Sequence, residues 1–324
     1  MNYEQTKELL KRNGQEQLLC FWDELDETGK EKLLRNIERL DFAVLENLKH
    51  PQNLSGEGSR LSPVKGLSVA DIEANEQRFK TIGNEALKSG KIAGLLLAGG
   101  QGTRLGAEGP KGAFNMGVTR ELSIFACQMN NILNDLRESG ARPLLLVMTS
   151  EKNNEETQEF WKKNGYFGYD AEKVRFFVQD AAPCTDMNGK ILPEEKDTPA
   201  TSPNGNGGWF SSLKKSGLYE ELKNGGAEWL NVYAVDNVLQ RPFDPVFIGA
   251  TLESGKACGA KCVRKNSPQK KVGVLCEKDG KAAVIEYYEL TEETANARAA
   301  EKRLAAEKGG VSISFWSNFL ALFI

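Results

Sequence analysis

Between Leu95 and Gly112 the chain reads LLLAGGQGTRLGAEGPKG, in which six glycines surround one arginine and one lysine. Glycine turns let backbone N–H groups approach an anion closely. Arg104 offers a planar fork to phosphate oxygens and Lys111 a compact point charge, so the residue types suit phosphate binding. Two common phosphate loops fail on spacing. A GxxxxGK[ST] loop needs Ser or Thr after its lysine, where this chain has Gly112. A GxGxxG fingerprint needs two residues before its last glycine, whereas three separate Gly102 from Gly106, and Pro110 interrupts any helix directly behind. The residues alone leave two readings, an anion cradle at a strand end or a glycine-rich turn with solvated cations.

Other chemistries are short of residues. His50 is the sole histidine, which excludes an HExxH metal site and leaves a serine triad resting on that residue alone. The six cysteines are scattered; Cys258 and Cys262 are close, but no second pair completes a zinc site. Reduced, mostly buried thiols are expected.

The elements that must position the loop are legible from periodicity. From Tyr3 to Leu48 apolar residues recur at helical spacing, broken at Gly14 and Gly29 into short helices. A connection rich in Pro, Ser and Gly (His50–Gly66) leads to a further helix ending at Gly90. Then the texture changes to alternation. IAGLLLA suits a buried parallel strand, followed by a helix around Leu122–Glu138 and a strand over Pro143–Ser150. A helix near Asn154–Asn164, a strand over Val174–Asp180, a long loop, a helix and a strand over Glu228–Asn237 complete the pattern. This predicts an α/β fold with a mostly parallel central sheet and helices on both faces, preceded by a helical N-terminal part. Ligands of such sheets bind beyond the carboxyl ends of the strands, where the glycine loop, Gln179–Asp180 and Asp236–Asn237 all fall. Lys271–Leu290 resembles a hairpin around Asp279–Gly280, and a charged helix-prone segment follows, ending at Gly309. The expected division is a helical part over 1–90, an α/β domain carrying the glycine loop over 91–310 and an apolar tail over 311–324.

The bulk properties exclude several classes. Among 324 residues, 42 Lys and Arg stand against 45 Asp and Glu, so there is no basic excess for nucleic acid. No apolar run approaches membrane-spanning length, and the N-terminus is too polar for a signal peptide; a cytoplasmic protein is expected. The oligomeric state is not legible.

The glycine stretch closely resembles the signature of the UDP-N-acetylhexosamine pyrophosphorylases. MTS, YFG, VRFFVQD, GKILPEEKDTPATSPNGNGGWF, VYAVDNVL, DPVFIGATLESGKACGAKCVRK and VGVLCEKDGKAAVIEYYEL resemble further family segments in family order, from about Leu9 to Leu290. The resemblance implies uridylyl transfer from UTP to a sugar 1-phosphate, N-acetylglucosamine 1-phosphate first, with Mg²⁺ (or Mn²⁺) as cofactor. It implies that Leu97, Ala98, Gly99 and Gly100 lie against the nucleotide, that Arg104 and Lys111 neutralise the triphosphate, and that Gln179 reads the uracil edge. It further implies that Gly205 touches the nucleotide and Asn206 the sugar, that Asp236 holds the metal, and that Glu286 and Tyr287 meet the sugar hydroxyls. The resemblance decays after Leu290. The family's GNI falls on Gly309-Gly310-Val311, where glycine cannot replace the asparagine amide, so one sugar contact is expected to be lost. Against the family pattern the chain ends early, with a 14-residue apolar tail from Val311. The alternatives are therefore another sugar 1-phosphate (N-acetylgalactosamine or glucose), or a shortened homologue of weak or no activity that binds nucleotide.

Overall fold

The computed structural model of the protein describes residues 1–45, 60–64, 66–264, 267 and 270–289, and the backbone of 313–322. His50, Leu290, the helix-prone segment after it and Gly309-Gly310-Val311 lie outside the described residues. Helices span Tyr3–Asn13 (α1), Glu27–Glu38 (α2), Val69–Ala74 (α3), Glu76–Lys88 (α4) and Ile124–Asp135 (α5). Asn154–Lys163 (α6), Trp209–Lys215 (α7), Leu218–Asn224 (α8) and Pro245–Glu253 (α9) follow. The strands are Leu61–Pro63 (β1), Ile92–Leu97 (β2), Leu145–Thr149 (β3), Val174–Val178 (β4), Ala181–Pro183 (β5), Pro193–Glu195 (β6) and Thr198–Pro199 (β7). After them come Thr201–Pro203 (β8), Trp229–Ala234 (β9), Cys258–Arg264 (β10), Val274–Lys278 (β11), Lys281–Ile285 (β12) and Ile313–Leu322 (β13). None of the described helices is long and apolar enough to cross a membrane.

Two compact units result, one of Met1–Leu54 with Gln179–Ser212, the other of Ser55–Val178 with Leu213–Ile324. This departs from the expected boundary at residue 90. In the first unit, Asn2 caps α1 in a reciprocal box with Gln5, and Asp26 caps α2 by accepting from Gly29 N–H. Their apolar stripes meet through Leu10, Leu33 and Ile37, and Ile191 from the distant segment completes the core. The Gln15 amide accepts from Ile191 N–H at 2.8 Å and donates to the Gly189 carbonyl at 2.9 Å. The stretch read as a long loop therefore folds into two small antiparallel pairs, β5 with β8 and β6 with β7.

In the second unit β9, β2, β3 and β4 form a parallel set in that order. Every residue of β2 and β3 is buried, which requires cover on both faces of the sheet. The mostly parallel expectation holds for these four strands. Beyond β9 the sheet turns antiparallel through β13, which also pairs with β10 and β11. The apolar tail thus enters the sheet as β13. Short connections can join only antiparallel neighbours, and β11 returns to β12 through Asp279 (φ 51°) and Gly280 (φ 79°). The core sets the buried aromatics Phe125, Trp161, Tyr233 and Phe243 among aliphatic side chains. Helices α4 and α9 cross backbone to backbone: a Cβ on Gly83 would stand 1.9 Å from the Pro245 carbonyl oxygen, and one on Gly249 1.8 Å from that of Phe79. At the end of α5, buried Asp135 accepts from Arg241 Nε at 2.7 Å and from Phe243 N–H at 3.1 Å. Burial raises its carboxyl above the ordinary carboxylate range, and the Arg241 guanidinium opposes that shift.

Candidate active site at the strand ends

The parallel set ends along one edge of the sheet, and the candidate residues follow from that. Leu97, the last residue of β2, and Ala98 are buried; Gly99 is half-buried and Gly100 exposed. The Ala98 N–H donates to the Met148 carbonyl at 2.7 Å, and the Val235 N–H to that of Leu97 at 3.0 Å. The glycine loop then closes on itself. Lys111 N–H donates to the Gly100 carbonyl at 3.1 Å, and Gly102 N–H to that of Gly109 at 2.9 Å. Gly109 (φ 88°) and Gly106 (φ 72°) take the left-handed conformations that the reversal requires. Gly112 is glycine for space, because a Cβ there would stand 2.1 Å from the Phe125 ring. The loop is a stapled flap rather than a loose turn.

That staple brings Lys111 to Asp236. Lys111 Nζ lies 2.5 Å from Asp236 Oδ1, with the lysine side chain 24% and the aspartate 54% exposed. These two residues, 125 positions apart in the chain, meet because β2 and β9 are parallel neighbours. A pair this exposed contributes only about 0–1 kcal/mol. Arg104 is exposed on the turn Thr103–Leu105 and makes no ion pair with a described residue.

Side-chain amides that sequence reading missed hold the loop bearing Asp236. Gln128 Nε2 on α5 donates to the carbonyls of Ala234, Val235 and Asn237, at 3.1, 3.2 and 3.3 Å. Asn131 donates to those of Val238 and Gln240, at 2.8 and 3.0 Å. Asn153, at the start of α6, reaches the glycine loop: its Nδ2 donates to Ala98 O at 3.0 Å and Gly100 O at 3.2 Å. Only the amide type of these residues is visible in the sequence; their partners are distant along the chain.

Gln179 directly follows β4 in the chain, is 7% exposed and opens the second segment of the first unit. There the Asn204 N–H donates to the Asp180 carbonyl at 3.0 Å, which sets the loop of Gly205 and Asn206 beside the Gln179–Asp180 pair. Gly205 has φ 70°, and the exposed Asn206 starts the turn Asn206–Gly208, whose last residue is buried. In the second unit Glu286 and Tyr287 follow β12. A Cβ on Gly273 would lie 3.3 Å from Glu286 Oε1, and the Tyr287 ring meets that of Tyr288 edge-on at 5.3 Å. Among the described residues no hydrogen bond or ion pair joins these two to the glycine loop or Asp236.

Among the described residues no group of three or more His, Cys, Asp or Glu side chains gathers to hold a metal. At this edge one cation, Lys111, and one carboxylate, Asp236, are in contact. Residues 46–315 match the family described as UTP--glucose-1-phosphate uridylyltransferase. The chain is 38% identical to UDP-N-acetylglucosamine diphosphorylase 2 of Arabidopsis thaliana, over 90% of this chain and 62% of that protein. It is 32% identical to the UDP-N-acetylglucosamine pyrophosphorylase of Saccharomyces cerevisiae, over 94% of this chain and 68% of that one. The crystal structure of the uridine diphosphate N-acetylglucosamine pyrophosphorylase from Trypanosoma brucei, in complex with an inhibitor, superposes with a TM-score of 0.80 at 30% identity. That match covers 96% of this chain and 65% of the other. With the glycine flap, the Lys111–Asp236 contact and these likenesses in place, the chain belongs to the UTP--glucose-1-phosphate uridylyltransferase family, among its UDP-N-acetylhexosamine pyrophosphorylases.

Proposed function

We propose that this chain is a uridylyltransferase that forms UDP-N-acetylglucosamine and pyrophosphate from UTP and N-acetylglucosamine 1-phosphate. The observation that carries the reading is the contact of Lys111 with Asp236 at the ends of adjacent parallel strands. A phosphate oxygen of the sugar phosphate attacks the α-phosphorus of UTP in line; the bond to the β-phosphate oxygen breaks and pyrophosphate leaves. The nucleophile is already an anion near neutral pH, so no general base is needed. Catalysis then consists of positioning and of stabilising phosphate charge. Arg104 and Lys111 supply that charge, and Leu97, Ala98, Gly99 and Gly100 support the nucleotide. Gln179 takes the uracil edge, Gly205 the nucleotide and Asn206 the sugar, while Glu286 and Tyr287 bind sugar hydroxyls.

Asp236 suits Mg²⁺ (or Mn²⁺): it is a hard oxygen donor, half exposed at a strand end and free to leave a weak ion pair. Such an ion, held by Asp236 together with phosphate oxygens, would supply charge neutralisation at the triphosphate. A single protein carboxylate is enough, since Mg²⁺ at nucleotide sites commonly takes one or two carboxylates with the phosphates and water. The six free cysteines favour a reducing compartment, and we place the protein in the cytoplasm.

A second reading rests on Gly310, on which the resemblance places the asparagine of the family's GNI. Without that amide, discrimination against glucose 1-phosphate and N-acetylgalactosamine 1-phosphate is weakened. Both readings are tested by following pyrophosphate release from UTP and Mg²⁺ with each of the three sugar phosphates. Turnover greatest with N-acetylglucosamine 1-phosphate is the expected result; turnover confined to another sugar moves the assignment to the second reading. UTP binding with no turnover for any of them leaves a nucleotide-binding homologue.

A further inference from the structure

Asn153 stands at the N-cap of α6, a position where an asparagine side chain ordinarily accepts from the N–H groups of the first turn. Here it makes no such bond. It is fully buried, and both ends of its amide are turned to the strand ends instead. Its Oδ1 accepts from Ser150 N–H at 2.8 Å, and its Nδ2 donates to Ala98 O at 3.0 Å and Gly100 O at 3.2 Å. The Gly100 carbonyl is the same one that receives the Lys111 N–H at 3.1 Å. One oxygen thus links the amide of Asn153 to the backbone of the lysine that faces Asp236.

The geometry points to Asn153 as a positioning residue for phosphate binding, acting through the Gly100 carbonyl to fix Lys111; this rests on the uridylyltransferase reading. A capping role alone does not account for the arrangement, because the helix forgoes its side-chain cap. The bonds reach the glycine loop on β2, whereas α6 follows β3. Asn suits the position because it accepts on one side and donates twice on the other. Asp has no donor and sets a negative charge against two carbonyl oxygens. Ser carries one donor on a side chain too short to span both carbonyls. Both are good N-caps, so either replacement costs α6 no existing side-chain cap and removes the clamp.

The test uses the full chain with Asn153→Ser and Asn153→Asp, each in the wild-type and Lys111→Ala backgrounds. Hydrogen exchange at the amides of Gly102 and Lys111 is expected to quicken about tenfold or more in both variants, as buried bonds to the loop are lost, with α6 unchanged. The Kd for UTP with Mg²⁺, measured by calorimetry, is expected to rise about tenfold in the wild-type background and less than about twofold when Lys111 is alanine, since residues acting through one another are non-additive. Equal losses in both backgrounds, unchanged exchange in the loop, or melting lowered by more than about 10 °C in both variants would each overturn the proposal, the last by showing a purely structural role. A wild-type chain that binds no UTP sinks the uridylyltransferase reading and nucleotide positioning with it. Hydrogen exchange still reports on the clamp in that case, so the two failures are told apart.

Discussion

Arg104 and Lys111 leave the same glycine loop into different surroundings. Lys111 is half-buried and already faced by Asp236, whereas Arg104 is exposed on its turn. Replacing Arg104 therefore removes charge from the glycine loop without touching the core. Arg104→Ala is expected to change folding stability by no more than about 0.5 kcal/mol, the usual scale for an exposed position. It is expected to lower kcat by about 100-fold or more, on the scale of losing one preorganised donor to developing charge. A denaturant melt paired with a pyrophosphate-release assay checks both, and a near-normal rate would remove Arg104 from the site. These charged residues were legible by type and by their place after predicted strands. Gln128 and Asn153 were not, because their acceptors lie 106 and 55 positions away for the first bond of each. An amide carries no mark in sequence of which carbonyl it will meet.

At the scale of elements, the parallel strands were read well in number and order of appearance and less well at their ends. The strand expected over Glu228–Asn237 stops at Ala234. There the carbonyls of Ala234, Val235 and Asn237 turn to Gln128. Similarly, the helix expected to run to Gly90 is divided at Asn75 into α3 and α4. Its glycine at 83 would be read as a weakness, since alanine is the better helix former by about 1 kcal/mol. The crossing with α9 reverses that ranking. A Cβ at 83 would overlap the rigid Pro245 carbonyl, and overpacking costs about 1–3 kcal/mol, with this contact at the severe end. Gly83→Ala is accordingly expected to lose about 2 kcal/mol net. Urea denaturation measures it, and a variant as stable as the parent would show that α4 can move aside freely.

For the whole molecule, the chain builds its first unit from two segments more than a hundred residues apart, a division that no local composition marks. Ile191 is the residue that ties the second segment into the α1–α2 core. Ile191→Ala is expected to cost about 2–5 kcal/mol, the range for emptying a buried aliphatic site. Faster proteolytic cleavage within 184–200 should accompany that loss; unchanged cleavage would mean that polar bonds, among them those of Gln15, Gln17, Lys32 and Asn36, hold the segment without it. The amino-acid sequence by itself determined the α/β class, the buried strands, the glycine loop and the chemistry its cation types can perform. These follow from periodicity and from residue types within a few positions of one another, which act wherever the segment is placed. Only the tertiary structure decided that Lys111 meets Asp236, that Asn153 bonds to the start of the glycine loop and that Ile191 belongs with α1 and α2. Those contacts join residues far apart in the chain, and they exist only once strand pairing and burial have brought their backbones together.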